Sequence, residues 1–94
     1  MKILLIEKEV PGIQPGEFKT YLEDEARHVW NLYKSGVIRE IYFTGEHNAV
    51  IIMEADSKEK ASEIIKSFPL VKNGLITFDI CELNNYDGFE RLMK

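Results

Sequence analysis

Val37-Ile38-Arg39-Glu40-Ile41-Tyr42-Phe43-Thr44, Gly45-Glu46-His47-Asn48, Ala49-Val50-Ile51-Ile52-Met53-Glu54-Ala55: two β-branched and aromatic stretches enclose a polar turn of hairpin length. The pattern predicts a strand over 37–44 paired antiparallel with a strand over 49–55. Both parities of these strands are apolar. Ile41, Phe43, Ala49, Ile51 and Met53 occupy one parity, and Ile38, Tyr42, Val50 and Ile52 the other. The doubling recurs in a first strand over 2–8, where Leu4 and Ile6 alternate with Ile3 and Leu5. It recurs again in a last strand over 75–83, where Leu75 and Cys81 alternate with Ile76, Phe78 and Ile80. An antiparallel sheet in a small monomer ordinarily keeps one face polar because water covers it. Two helices cover one face only, so the second apolar set requires a layer that the chain does not encode. Self-association is the economical source of that layer.

Between the first strand and the hairpin, Glu9 to Gly16 contains Pro11-Gly12 and Pro15-Gly16 and is punctuated as a loop. From Glu17 to Ser35 the residues Phe18, Leu22, Val29, Leu32 and Tyr33 recur near helical spacing, and Gly36 offers a left-handed C-terminal cap. Beyond the hairpin, Asp56 with Glu59 three positions later resembles a capping box and starts a second helix. Ala61, Ile64, Ile65 and Phe68 form its stripe, Pro69 ends it, and the Lys72-Asn73-Gly74 turn leads to the last strand. The order is β-α-β-β-α-β, two β-α-β halves with right-handed crossovers. It predicts one α+β domain over 1–94, a ferredoxin-like sandwich with a four-stranded antiparallel sheet and both helices on one face. Two such sheets packed face to face make a dimeric α+β barrel. The tail, 84–94, carries Tyr86, Phe89, Leu92 and Met93 among charges and is expected to dock on the partner subunit.

With 94 residues, a chain of this length buries about 65% of its unfolded surface alone, so a dimer adds stability it otherwise lacks. Twelve basic and sixteen acidic side chains give a net charge of −4, which disfavours nucleic-acid and anionic-membrane partners. Strand three has no aromatic residue of the kind that stacks bases in RNA-binding sheets. The first eight residues contain an apolar run too short for a signal-peptide core or a membrane span, so a cytoplasmic location is the default expectation. Cys81 has no internal disulfide partner and reads as a small buried hydrophobe. Its isolation and the distant spacing of His28 and His47 argue against a metal site. The six glycines fall singly, which leaves no phosphate loop. No cofactor is expected.

Gly36-Val37-Ile38-Arg39-Glu40, Glu54, Phe68-Pro69-Leu70-Val71, Gly74-Leu75-Ile76 and Tyr86-Asp87-Gly88-Phe89 together resemble the muconolactone isomerase-like and YCII-like group of dimeric α+β barrel proteins. The resemblance spans about residues 26–92, and its most specific part is the aromatic residue followed by Pro69-Leu70 at the helix exit. It implies a proton shift on an unsaturated lactone, with related barrels acting as cofactor-free monooxygenases. The Pro/Gly loop before helix one and the C-terminal tail depart from the isomerase pattern.

Glu25 is the odd residue of helix one, because helical spacing sets it among Leu22, Val29 and Leu32. Desolvation disfavours a charged carboxylate there, a condition suited to proton transfer near neutral pH. The alternative is a stripe-edge residue reaching water or an arginine. His28, one turn on, either shares a proton with Glu25 or faces solvent. Trp30 lies at the stripe's boundary and suits a pocket wall. Arg39 and Asp79 either form an ion pair, within or between subunits, or leave the arginine to bind an acidic ligand. Glu40, Tyr42 and Glu54 share the opposite parity, among Val50 and Ile52, as a second polar cluster, and His47 reads as a solvated turn residue. Three functions follow. The barrel cleft is an acid–base active site with Glu25 and His28 as catalytic groups and Arg39, Trp30, Tyr42 and Asp79 around the substrate; or it binds a small organic ligand without turnover; or the chain is an assembly module.

Overall fold

A computed structural model describes residues 1–93, leaving Lys94 of the tail outside. The elements are β1 (Lys2–Glu9), α1 (Pro15–Lys19), α2 (Leu22–Lys34), β2 (Ile38–Phe43), β3 (Ala49–Glu54), α3 (Lys58–Lys66), α4 (Pro69–Lys72) and β4 (Ile76–Leu83), then a 3-10 turn over Gly88–Leu92. The four strands form one antiparallel sheet in the order β2-β3-β1-β4. This is the expected ferredoxin-like α+β arrangement.

Ile3 and Leu5 of β1 pair with Met53 and Ile51 of β3. All four are buried together with Ile38, Ala61 and Ile65 of α3, and Phe68, so this is the helix-covered face. Side chains alternate along a strand, which sends Leu4, Ile6, Val50 and Ile52 to the other face, paired Leu4 with Ile52 and Ile6 with Val50. Among the described residues no helix covers this strip, and Ile6 is 36% exposed.

Strict alternation groups Ile38 with Tyr42 and separates both from Ile41 and Phe43. The structure regroups them, because the register jumps between Ile38, opposite Met53, and Glu40, opposite Ile52. A bulge at Arg39 absorbs one residue and inverts the parity beyond it. Ile38, Ile41 and Phe43 thus share the helix side, while Glu40 and Tyr42 stand on the other. In β4, Ile80 lies opposite Leu5 and Cys81 opposite Leu4, so Cys81 is exposed within the chain rather than a buried hydrophobe.

The expected first helix is broken. Its N-terminal turn is α1, whose Gln14 N–H donates to the Glu17 carboxylate at 2.7 Å. The Tyr21 N–H then closes a tight turn on the Phe18 carbonyl before α2 begins. α2 ends where Gly36 takes φ +87°, as its sequence position anticipates. The cap of α3 is Ser57, whose Oγ accepts from the Lys60 N–H at 3.1 Å, one residue later than the expected Asp56. Pro69 opens α4 as well as ending what precedes it, since proline's fixed φ and missing N–H suit a first helical position.

Beyond β4 the tail stays open. Tyr86, Phe89, Leu92 and Met93 are 70, 69, 81 and 83% exposed, and Tyr86 packs edge-on against Phe89 at 4.8 Å. The radius of gyration is 15.4 Å, against about 12 Å for a compact chain of this length.

Candidate active site

α2 carries no fully buried residue. Val29 and Leu32 touch the core, but Leu22, Trp30 and Tyr33 remain 49, 56 and 48% exposed. Between this helix and the helix-side surface of β2 and β3 lies a cleft of about 950 Å³, within the range of small-molecule sites. Ile41, Phe43, Ala49 and Ile51 form its floor, Ala26, Val29 and Trp30 one wall, and Phe68 and Leu70 its closed end. Ala26 and Ala49 are the smallest side chains in this lining and leave it open where larger residues would fill it.

Two carboxylates project into the apolar space. Glu25, half-buried on α2, accepts a hydrogen bond at Oε1 from the Leu70 N–H at 2.9 Å, an amide of the first turn of α4 that has no partner within its own helix. Burial raises its carboxyl above the ordinary range, the Leu70 bond opposes the rise, and the charge of Glu7 adds to it. Glu7, half-buried on β1, accepts at Oε1 from the Ala49 N–H at 2.9 Å. Its carboxyl is also raised, first by burial and then by Glu9, with the Ala49 bond and His47 acting the other way. Taking a carboxylate from water penalises its charged form, and one amide donor offsets only part of that cost.

The sequence reading did not single out Glu7. The signal was present, because Glu7 shares the parity of Ile3 and Leu5, the two most deeply packed residues of β1. His47 also lines the cleft. Its backbone takes φ +67° in the hairpin turn, and its exposed ring stacks on Phe43 at 4.0 Å.

Arg39, Glu40 and Tyr42 stand at the mouth. The Arg39 Nε–H donates to the Gly36 carbonyl at 2.6 Å, and the Tyr42 hydroxyl donates to Glu40 at 2.8 Å. That bond raises the Tyr42 phenol above its usual value. Trp30 stacks on Tyr33 at 6.1 Å and carries the Lys34 ammonium 5.6 Å from its ring centre.

Glu25 and His28 have separate partners. Ser67 Oγ gives its proton to the Ile64 carbonyl, so it accepts from His28 Nε2 at 2.8 Å. The ring meets Phe68 edge-on at 5.3 Å. Burial, helped by Lys72, lowers the imidazole pKa and favours the neutral form. Arg39 and Asp79 lie on opposite edge strands, β2 and β4, and do not pair within the chain. Asp79 instead bonds Lys8 at 2.8 Å on the uncovered face. Among the described residues, no group of three or more His, Cys, Asp or Glu side chains is placed to hold a metal. No described helix is long and apolar enough to cross a membrane.

No protein-family model matches the chain, and no curated protein is significantly similar in sequence. Solved structures do share the fold. A muconolactone isomerase superposes with a TM-score of 0.76 at 16% identity, over 93% of this chain and 92% of that one. A 5-chloro-2-hydroxyhydroquinone dehydrochlorinase from Burkholderia phenoliruptrix AC1100, in complex with 2,5-dihydroxybenzoquinone, superposes with a TM-score of 0.65 at 20% identity, over 94% and 98%. The similarity to these two enzymes is one of fold.

Proposed function

We propose that the cleft is an active site for acid–base chemistry on a small unsaturated or oxygenated metabolite, with Glu25 as the base. The observation that carries this reading is the pair of half-buried carboxylates, Glu7 and Glu25, raised by burial and facing one apolar cavity. A carboxyl raised above the ordinary range is a stronger base than an exposed one. Trp30 supplies a wall for a flat ligand, the terminal nitrogens of Arg39 offer donors, and the Tyr42 hydroxyl, whose proton goes to Glu40, offers an acceptor. His28 acts through Ser67 and Phe68, steadying the helix exit whose Leu70 amide orients Glu25. Asp79, on the uncovered face, meets a ligand only where a second subunit brings one. The enzymes that share this fold bear the names of a lactone isomerase and a hydroquinone dehydrochlorinase, both concerned with small oxygenated rings.

The chain is proposed to work as a homodimer through the Leu4, Ile6, Val50 and Ile52 strip, with the tail lying on the partner. An obligate sheet-on-sheet interface buries on the order of 2,000 Å² or more. Light scattering should give a dimer or larger assembly, and truncation after Leu83 should weaken association and lower Tm. A stable monomer in the full-length chain rejects this assembly.

The functional test is isomerisation of an uncharged β,γ-unsaturated lactone to its α,β isomer by the wild type and by Glu25→Gln, which keeps the shape and removes the titration. Loss of at least ~100-fold in rate is expected for a positioned acid–base group. An unchanged rate removes Glu25 from the chemistry. Absence of turnover with saturable quenching of Trp30, the single tryptophan, moves the cleft to ligand binding without catalysis.

A further inference from the structure

The cleft has a definite charge character. Its lining is rich in aromatic rings, among them Phe18, Trp30, Tyr33, Phe43, Phe68 and Phe78. The charged groups set within this apolar space are Glu7 and Glu25, and Glu9 and Glu40 add two further carboxylates to the lining. The opposing groups are both exposed. Arg39 stands at the mouth with its Nε on the Gly36 carbonyl, and His47 lies in the hairpin turn against Phe43.

Glu7 and Glu25 each receive one backbone amide, and neither has an ion-pair partner among the described residues. Each carboxylate is half withdrawn from water with a single amide donor and no counter-ion, so part of its lost hydration is uncompensated. A cationic ligand supplies the missing charge, whereas an anionic one adds a third negative charge to a space that resists two. The aromatic wall works in the same direction. Lys34 already places its ammonium over the Trp30 ring, and the electron-rich faces of such rings attract cations.

We propose that the cleft takes a flat organic cation, an amine, amidine or quaternary ammonium on an aromatic or apolar body, with its charge beside Glu7 and Glu25 and its body against Trp30 and Phe43. This rests on the cleft being a ligand site and adds the sign of the ligand's charge. Glu7 is faced by Glu9 on its own strand, Glu25 from α2 and His47 from the hairpin, while Glu25 is faced by Glu7 from β1. Arg39, Glu40 and Tyr42 stand at the mouth. Cation binding therefore favours the ionised carboxylates, releases protons and strengthens as pH rises. Anion binding has the opposite sign.

Benzyltrimethylammonium, a permanent cation, is compared with benzyl alcohol and phenylacetate. Each is titrated into the full chain and followed by Trp30 fluorescence and calorimetry. At pH near 7 the cation should bind at least ~10-fold more tightly than phenylacetate, and the gap should widen from about pH 5 to about pH 8 as the carboxyls ionise. Glu7→Gln and Glu25→Gln should each shrink the gap between cation and anion several-fold, with benzyl alcohol as the neutral reference in each variant. Phenylacetate binding as tightly as the cation overturns the proposal and leaves the cleft as a ligand site. Cation binding indifferent to both substitutions also overturns it, because the charge then sits elsewhere. Binding of none of the three overturns both readings. Should either variant fail to fold, the wild-type pH dependence decides, and a flat profile is the negative result.

Discussion

α3 and α2 each carry the chain between strands of one sheet, yet α3 buries Ala61 and Ile65 while α2 leaves Leu22, Trp30 and Tyr33 about half exposed. The side chains that face inward account for the difference. α3 offers Ala61, Ile64 and Ile65, which are small or branched and carry no polar atoms, so Ala61 and Ile65 pack into the core beside Ile3, Leu5 and Met53. α2 offers Leu22, Glu25, Ala26 and Val29, and a carboxylate in that row cannot be pressed into a dry interface without a large desolvation cost. A cleft is left between this helix and the strands. The same crossover topology thus gives a packed core in one half and a cleft in the other, and the difference turns on one carboxylate within an apolar stripe.

The sharpest attack on that division is a pair of truncations. Phe68 is fully buried, with edge contacts to His28 at 5.3 Å and Phe78 at 5.6 Å. Phe68→Ala should cost about 3–5 kcal/mol, the range for an aromatic core truncation. Trp30→Ala removes a larger side chain, but one that is 56% exposed, and should cost less than about 1 kcal/mol. Urea unfolding of both variants is the measurement. Equal losses would mean that an exposed α2 side chain contributes to the core as Phe68 does at the junction of α3 and α4, and the comparison would fail.

A smaller effect sharpens it. Ser57 Oγ satisfies the Lys60 amide at the start of α3, whereas Tyr21 gives α2 no side-chain cap. Ser57→Ala should lower stability by about 1 kcal/mol, read as a shift in urea midpoint without a change in slope. A negligible shift would remove local capping as a source of the extra order in α3.

Much of this arrangement was legible in the residues alone. The Ala61, Ile64, Ile65, Phe68 stripe and the hairpin turn over 45–48 marked their elements, and two apolar strand parities marked a face the helices leave bare. Glu25 stood out because a carboxylate broke the apolar spacing, and the structure sets it in the cleft lining. Other features lay beyond that reading for specific reasons. The bulge at Arg39 inverts β2 parity, but no glycine or proline announces it. The break at Thr20-Tyr21 is a matter of how the turn closes onto Phe18. Ser57 displaced Asp56 as the cap although either residue has a suitable oxygen. Alternation along the strands does not give strand order, so it leaves Arg39 and Asp79 open to pairing, and the order β2-β3-β1-β4 sets them on opposite edges. His28 and Glu25, one turn apart on the same helix, diverge because Ser67 and Leu70 offer each a different partner.

The finest discrimination between the two halves is the pH dependence of stability. The carboxyls of Glu7 and Glu25 are raised, first by burial in both cases. A group whose folded pKa exceeds its unfolded value binds more protons when folded, so its contribution is fully present below the unfolded pKa of about 4.3 and is lost as pH rises through the folded value. This is the reverse of the acid-side loss produced by carboxylates held in ion pairs. Both groups are only half-buried, and water screens much of the effect, which makes this the smallest of the expected changes. Urea midpoints measured from about pH 4 to about pH 8 should therefore show Glu7→Gln and Glu25→Gln gaining stability relative to wild type toward the upper end. The gain should follow the rise of each carboxyl and should be smaller for the double variant than the sum of the singles, because removing Glu7 also removes one cause of the rise in Glu25. A difference from wild type that is constant across the range would show that neither carboxylate is held against ionisation, and the cleft beside α2 would then need another reason.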